Sequence, residues 1–442
     1  MSYNTRLKAY KILFEINEKK AYSNISIQRN TKGIEKLDEA FIRELVYGVL
    51  ENKLYIDWVI KKYSKLKFKK ISPKILQILR LGVYQIVFMD KIPDSAACNE
   101  SVKLAKIVSH KGTFGFVNGV LRNIARNKEK VREPKISNKI KYLSIKYSHP
   151  EWMVKKWLNE FGFKFTKELL EKNNTKPHLN IRVNTLKVSK ESLMDKLKNE
   201  GFDVKETKYA LDGIIINNPS RITDLEEFKK GFFTIQDESS MLVAQIMNPK
   251  ENSLVLDVCS APGGKATHIA QKMNNNGKVI ARDIYEHKVN LINENSKRLG
   301  IDIIETEIFN GSKLDENLLE KVDYCLVDAP CSGLGLIRRK PDIKWTKRKD
   351  EIEKLVKLQK DILINASKYL KTGGTLIYST CTIENKENLE LINTFIKEKQ
   401  NYKLESFSNL VNIDESTTKG YLQMYPNIHS TDGFFIAKLK KL

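Results

Sequence analysis

The 442 residues contain five cysteines, Cys98, Cys259, Cys325, Cys331 and Cys381, and no two of them stand in a CxxC spacing. A disulfide framework, a zinc site or an iron–sulfur cluster would need such clustering, so no metal is expected. Apolar runs are equally short. None reaches the ~18 uninterrupted apolar residues of a membrane span, and the start "MSYNTRLKAYKILFEINEKK" mixes Glu and Lys where a secretory signal is apolar. A cytoplasmic protein with no membrane partner is therefore expected. Internal repeats and low-complexity tracts are missing too. What is there is the composition of an ordinary globular chain, 41% hydrophobic and 30% charged with a mean hydropathy of -0.42, long enough for two or three domains.

Acidic residues are scarce at one end. Of the net charge of +23, +18 falls in residues 1–150, where 31 Lys and Arg face 13 Asp and Glu. Such a field attracts polyanions, whether RNA, DNA or an acidic membrane, and a chain that uses lysine as surface filler has the same composition. This end also reads as helical. "FIRELVYGVLENKLYIDWVIKKY" places Phe41, Leu45, Val46, Val49 and Leu50 at three-and-four spacing, and "SPKILQILRLGVYQIVFM" opens with Ser72 as cap and Pro73 in the first turn. Residues 1–128 are thus expected to form an all-α domain. Within it, "KKYSKLKFKK" (61–70) is a basic connector with Tyr63 and Phe68 interleaved, suited to phosphate contact with stacking or to a plain solvated loop.

Residues 129–150 are polar and proline-punctuated, as a linker with a short helix would be. The stretch "HLNIRVNTLKVSKESLMDKLKNEGFDVKETKYALDGIIINN" then reads strand, helix from Lys190 to Glu200 stopped by Gly201, and two strands, so residues 129–231 comprise linker and a small α/β module. From 232 to 442 the pattern becomes strand–turn–helix. "SLVLDV", "KVIARDI", "DYCLVDA" and "GGTLIYST" are buried-strand runs separated by helical segments, which implies a mainly parallel, doubly wound sheet with its ligands beyond the carboxyl ends of the strands.

Neither GxGxxG nor the GK[ST] of a phosphate-binding loop is present. Instead "VLDVCSAPGGKATHIA" is a strand ending in Asp257, a loop whose Gly263 and Gly264 let backbone approach a ligand, and a helix. At 26 positions further on, "VIARDIYEHK" ends the next strand with Asp283, placed to accept from ribose hydroxyls, so a nucleoside-bearing cofactor is implied.

Two thiols close two other strands: Cys331 in "VDAPCSG", three positions after Asp328, and Cys381 in "IYSTCTIEN". An acid and a thiol so close suit metal ligation, a hydrolase nucleophile, or chemistry on a flat heteroaromatic ring. The spacing of the cysteines speaks against the first. Against the second, no histidine is placed to complete a Cys–His pair, since His268 and His287 fall on helices as packing or surface residues. The third fits. Carbon 5 of cytosine is too poor a nucleophile to take a methyl group from a sulfonium donor until a thiolate adds to carbon 6, and an acid at N3 keeps charge off the ring as it does so.

"FFTIQDESSMLVAQIMNP", "LDVCSAPGGKATHIA", "ARDIYEHK", "VDAPCSGLGLIRRKPDIKW" and "LIYSTCTIENKEN" resemble, in order and at family spacing over residues 232–388, the Sun/RsmB family of RNA cytosine-C5 methyltransferases that use S-adenosylmethionine. "FIRELVYGVLENKLYIDWVI" is similar to the NusB-like RNA-binding domain fused in this subfamily. The resemblance implies a multidomain fold: an all-α NusB-like domain over 1–128, an RRM- or ferredoxin-like middle module, and a Rossmann-like methyltransferase domain over 232–442. It implies Cys381 as nucleophile, Cys331 as the thiol that assists product release, and Asp328 at the base and near the sulfonium. Cys259, Ser260, Ala261, Pro262, Gly263, Gly264 and Lys265 would wrap the methionine moiety and Asp283 the ribose, with Asn310 standing where the family usually has an aspartate beside the adenine. Arg338, Arg339 and Lys340 would touch RNA phosphates. The implied substrate is one cytosine of 16S rRNA, free or in a small-subunit assembly intermediate, and the enzyme a monomer; tRNA, large-subunit rRNA, or a non-catalytic assembly role are the alternatives. The basic N-terminal domain predicts an RNA affinity that falls steeply with salt, and a binding isotherm indifferent to ionic strength would assign its lysines to surface filler.

Overall fold

The computed structural model describes residues 3–131, 133–217 and 222–442; Arg132 of the expected linker and Asn218 at the end of "GIIINN" lie outside the described residues. The chain divides into two compact units. The first comprises the residues up to Thr175 together with Ile337–Lys347, and the second Lys176–Leu336 with Arg348–Leu442.

In the first unit the helices Tyr3–Lys19, Ser23–Thr31, Lys36–Glu51, Lys53–Tyr63, Pro73–Phe88, Asp94–Val108 and Gly112–Arg126 enclose one apolar core, and Phe41, Leu45, Val46, Val49 and Leu50 all lie in it. The anticipated cap forms, with Ser72 Oγ accepting from the Ile75 N–H at 3.4 Å and Pro73 at the first helical position. Gly48 lets two of these helices meet closely, since a Cβ there would lie 1.9 Å from the Tyr84 ring. One ion pair is sealed inside: the Arg80 guanidinium forks onto Asp57, Nε to Oδ1 and Nη2 to Oδ2, each at 2.8 Å. The bidentate geometry is what makes two charges tolerable away from water.

The basic connector is more ordered than a loop. Lys61, Lys62 and Tyr63 finish one helix, and Phe68–Lys70 forms a 3-10 turn. Tyr63 and Phe68 pack against the core, while Lys61 sits 4.6 Å from the Phe68 ring and Lys62 5.3 Å from that of Trp58, so these aromatics are engaged by the protein's own cations.

Ile337–Lys347 joins this unit from far along the chain. Asp342 accepts from the Ser23 N–H at 3.2 Å and from Ser23 Oγ at 2.6 Å, Lys344 Nζ donates to the Glu51 carbonyl at 2.8 Å and to Asn174 Oδ1 at 3.0 Å, and the Trp345 indole N–H donates to the Leu50 carbonyl at 2.9 Å. Burial pushes the Lys344 ammonium down to about 7. Of the three basic residues expected at RNA phosphates, Arg338 is only 5% exposed, Arg339 is half-buried and Lys340 is exposed.

The second unit holds two sheets. The smaller contains β1 (Leu179–Val183), β2 (Val204–Glu206), β3 (Gly213–Ile216) and β4 (Phe233–Ile235) in the order β2-β3-β1-β4, all antiparallel, with the helix Lys190–Asn199. Sequence periodicity placed β4 in the following domain, but Ile181 pairs with Ile235 and Val183 with Phe233, and three residues are too few to show a register by themselves. The larger sheet contains β5 (Leu254–Asp257), β6 (Lys278–Asp283), β7 (Ile304–Ile308), β8 (Val322–Asp328), β9 (Leu370–Thr380), β10 (Tyr402–Leu404), β11 (Tyr421–Met424) and β12 (Phe434–Lys441). Its order is β10-β12-β9-β8-β5-β6-β7, with β11 also on β12. β5 to β9 run parallel, and β12 closes one side antiparallel to β9. The chain leaves β5 toward β6 and β7 and then returns to β8 on the other flank, so the crevice between β5 and β8 is the topological switch point where such sheets bind ligands.

Replacing Arg80 by Met strands the Asp57 carboxylate inside the helical core and should cost that unit about 3 kcal/mol or more. The double variant Arg80→Met, Asp57→Leu should recover most of the loss, as read from urea unfolding midpoints.

Candidate active site at the switch point

Asp257 ends β5 fully buried. Its Oδ1 accepts from the Cys259 N–H at 3.4 Å, while Asp257 Oδ2 and Ser260 Oγ are buried without a partner. Burial first, and the nearby Asp328 second, push this carboxyl up to about 7. The loop then folds on itself: the Ser260 N–H donates to the Arg282 carbonyl and the Gly263 N–H to the Ser260 carbonyl, both at 2.7 Å. Gly263 has φ +93, a conformation a side chain strains, and a Cβ would sit 3.1 Å from Ile292. The helix Gly264–Lys272 starts directly after it.

Arg182, in the middle of β1, supports that start. Fully buried, it donates to Gln236 Oε1, to the Gly264 carbonyl, and to Thr267 Oγ1 at 3.0 Å, and burial lowers it to about 9. The small sheet thereby holds the first turn of the loop's helix. Sequence reading missed this residue; its one signal is a cation inside the apolar strand "NIRVN".

Asp283, at the end of β6, is buried, accepts from the Tyr285 N–H at 3.2 Å and faces Lys288 at 3.6 Å. Asn310 uses its Oδ1 locally, accepting from the Ser312 N–H at 3.0 Å and Ser312 Oγ at 2.8 Å. A ligand contact by Asn310 therefore falls to its amide N–H groups, not to the oxygen that an adenine amino group would need. The two orphaned polar atoms beside the loop, together with an acid on the neighbouring strand, fit a nucleoside ligand that also carries a charged amino group.

On the other flank of β5, Asp328 ends β8. Lys265 Nζ donates to its Oδ2 at 2.7 Å and Ser379 Oγ to its Oδ1 at 2.8 Å. Burial alone would lower the Lys265 ammonium, but Asp328 outweighs it, with a further contribution from the Cys381 sulfur, and the pKa is raised. The two thiols that the sequence places at different strand ends come together here, with Cys331 Sγ 3.2 Å from Cys381 Sγ. The Cys331 thiol is pushed well above the usual range, first by its hydrogen bond with Cys381 and then by burial.

A buried polar network fixes the Cys331 turn, with separate links from that turn to the one bearing Cys381, and sequence reading found none of it. Glu387 Oε2 accepts from the Ser332 N–H and from Gln359 Nε2, each at 2.8 Å, and Gln359 Nε2 also donates to the Pro330 carbonyl at 2.9 Å. Ser332 Oγ meets Thr382 Oγ1 at 2.8 Å, and the Gly335 N–H donates to the Cys381 carbonyl at 3.1 Å. The two histidines stand elsewhere. His268 is buried against Asp212 at 2.9 Å, with burial pushing it down to about 3, and His287 is exposed. Among the described residues no group of three or more His, Cys, Asp or Glu could hold a metal ion.

Fold and site together define a methyltransferase of the RsmB/F type with a fused NusB domain. Residues 3–126 match the NusB family, 149–223 the ferredoxin-like domain of RsmF/B-like methyltransferases, and 244–440 the 16S rRNA methyltransferase RsmB/F family. A probable ribosomal RNA small subunit methyltransferase B of Bacillus subtilis is 40% identical over 439 residues, 98% of each chain. The ribosomal RNA small subunit methyltransferase B of Photorhabdus laumondii is 31% identical over 442 residues, covering 100% of this chain and 99% of its own. The crystal structure of a methyltransferase homolog protein from Pyrococcus horikoshii superposes with a TM-score of 0.61 at 29% identity, covering 70% of this chain and 100% of that one. The chain belongs to the ribosomal RNA small subunit methyltransferase B family.

In the folded protein Asp257 keeps its proton up to about pH 7, whereas the unfolded chain releases it near pH 4. The folded state therefore binds the extra proton, and stability falls as pH rises across that window, by about 4 kcal/mol at most. Asp257→Asn should remove that slope, which urea unfolding of both proteins at a series of pH values will measure.

Proposed function

We propose that this protein transfers the methyl group of S-adenosylmethionine to carbon 5 of one cytosine in 16S rRNA, through a transient bond between Cys381 sulfur and carbon 6. The observation that carries the reading is the pair of thiols 3.2 Å apart beside an aspartate held by a lysine and a serine. S-adenosylmethionine supplies an electrophilic methyl on a sulfonium. Asp257 and the 259–265 loop hold its methionine part, Asp283 the ribose, and Asn310 the adenine edge.

As the Cys381 sulfur adds to carbon 6, the Lys265–Asp328 pair can pass a proton to N3, so that the electron pair displaced from the ring double bond is available at carbon 5. Cys331, 3.2 Å from the Cys381 sulfur, is the thiol held in its protonated form by the hydrogen bond between the two and by burial. After methyl transfer a base takes the carbon-5 proton, the ring double bond re-forms as the carbon–sulfur bond breaks with its electron pair going to Cys381, and N3 returns its proton to the Lys265–Asp328 pair. Cys331 serves this release. The substrate assignment rests on the names of the relatives and on the NusB-type domain with its excess of basic charge; monomeric action in the cytoplasm on rRNA or an assembly intermediate is part of the same reading.

Cys381→Ser should lower methyl transfer by about a thousandfold or more, and Cys331→Ala should leave the enzyme covalently bound to its RNA on a denaturing gel. Bisulfite sequencing of RNA from a deletion strain should show one 16S cytosine losing protection. Calorimetry that detects no S-adenosylmethionine binding would instead favour a non-catalytic assembly factor.

A further inference from the structure

Cys331 lies in a turn with no regular secondary structure, yet both of its flanking peptides are tied down. The carbonyl before it, on Pro330, accepts from Gln359 Nε2 at 2.9 Å, and the N–H after it, on Ser332, donates to Glu387 Oε2 at 2.8 Å. The two holding side chains are joined by a third bond, Gln359 Nε2 to Glu387 Oε2 at 2.8 Å, and neither has any exposure. Glu387 closes the short turn Asn385–Glu387, six positions after Cys381. A carboxylate from the nucleophile's own strand-end loop thus grips the turn that carries the other thiol.

A fully buried carboxyl is expensive, and burial does push Glu387 up from its ordinary value. Packing alone would be served as well by an apolar residue. What Glu387 adds is directional: two acceptor bonds that fix where the Cys331 sulfur points, plus a negative group that disfavours a second anion at that sulfur, one of the causes that raise the Cys331 thiol. Cys381 has a different neighbour, the Lys265 ammonium.

We propose that Glu387, together with Gln359, is a positioning residue for Cys331 that acts in product release and not in the attack by Cys381. This rests on the reading above that Cys331 assists release. When Glu387 is removed, attack and methyl transfer proceed once, and the enzyme then stalls as the covalent protein–RNA species.

The test uses the full chain, unmethylated 16S rRNA transcript and labelled S-adenosylmethionine. In Glu387→Ala, the methyl transferred in the first turnover should stay within about threefold of wild type. Steady-state turnover should fall tenfold or more, with a covalent adduct visible on a denaturing gel. Glu387→Gln keeps an oxygen acceptor for the Ser332 N–H and should restore turnover to within a few-fold. Gln359→Ala, which leaves the Glu387 acceptor in place, should show the same stalled adduct and decides the matter if Glu387→Ala does not fold. First-turnover and steady-state rates falling together in folded variants, or turnover continuing without adduct, would overturn the proposal. Failure of the underlying reading looks different: a Cys331→Ala enzyme that turns over freely, whatever the Glu387 variants do.

Discussion

The second unit depends on the parallel register of β5, β8 and β9. Asp257 stands opposite Leu326, and Asp328 opposite Ser379. That alignment ends three neighbouring strands within reach of one crevice and delivers two acids and two thiols to it. A slip of one residue would turn each of those side chains to the other face of the sheet. The buried Val255, Leu256, Leu326, Val327, Leu376 and Ile377 that fill both faces are what make such a slip prohibitive, so the apolar core and the chemistry are specified by the same residues.

Given the register, the site's electrostatics follow from proximity. Burial and the neighbouring Asp328 raise the cost of ionising Asp257, which retains a proton, whereas Asp328 is paired with Lys265. Lys265 belongs to the 259–265 loop after β5, yet its ammonium is paired with the acid that ends β8. The loop and Asp328 are therefore one electrostatic unit, and Arg182 extends it to the small sheet through the Gly264 carbonyl and Thr267. Groups aimed in advance at positions where charge develops need no rearrangement during reaction.

Much of this was legible in the chain because it is local. Helical stripes, the Ser72 cap, strands of four or more apolar residues, and acids or thiols at strand ends all express themselves within a few positions. What escaped was long-range pairing. Arg182 finds its carbonyl 82 residues away, and Glu387 holds a peptide 55 residues upstream, and nothing in the neighbourhood of either residue announces the partner. The burial of Arg338 was hidden for the same reason, since its segment belongs to a unit whose helices are encoded more than 160 residues earlier. Asn310 gave half its story: the residue type was visible, but the commitment of its oxygen to Ser312 was not.

Ile337–Lys347, stitched into the helical unit through Lys344 and Trp345, bears on modularity. The NusB-type portion is not a bead threaded onto an independent catalyst, because part of its own interior is written inside the catalyst's reading frame, immediately after the turn bearing Cys331. A cut placed between residues 175 and 176 would therefore separate Lys344 and Trp345 from the Glu51, Asn174 and Leu50 acceptors that they use here.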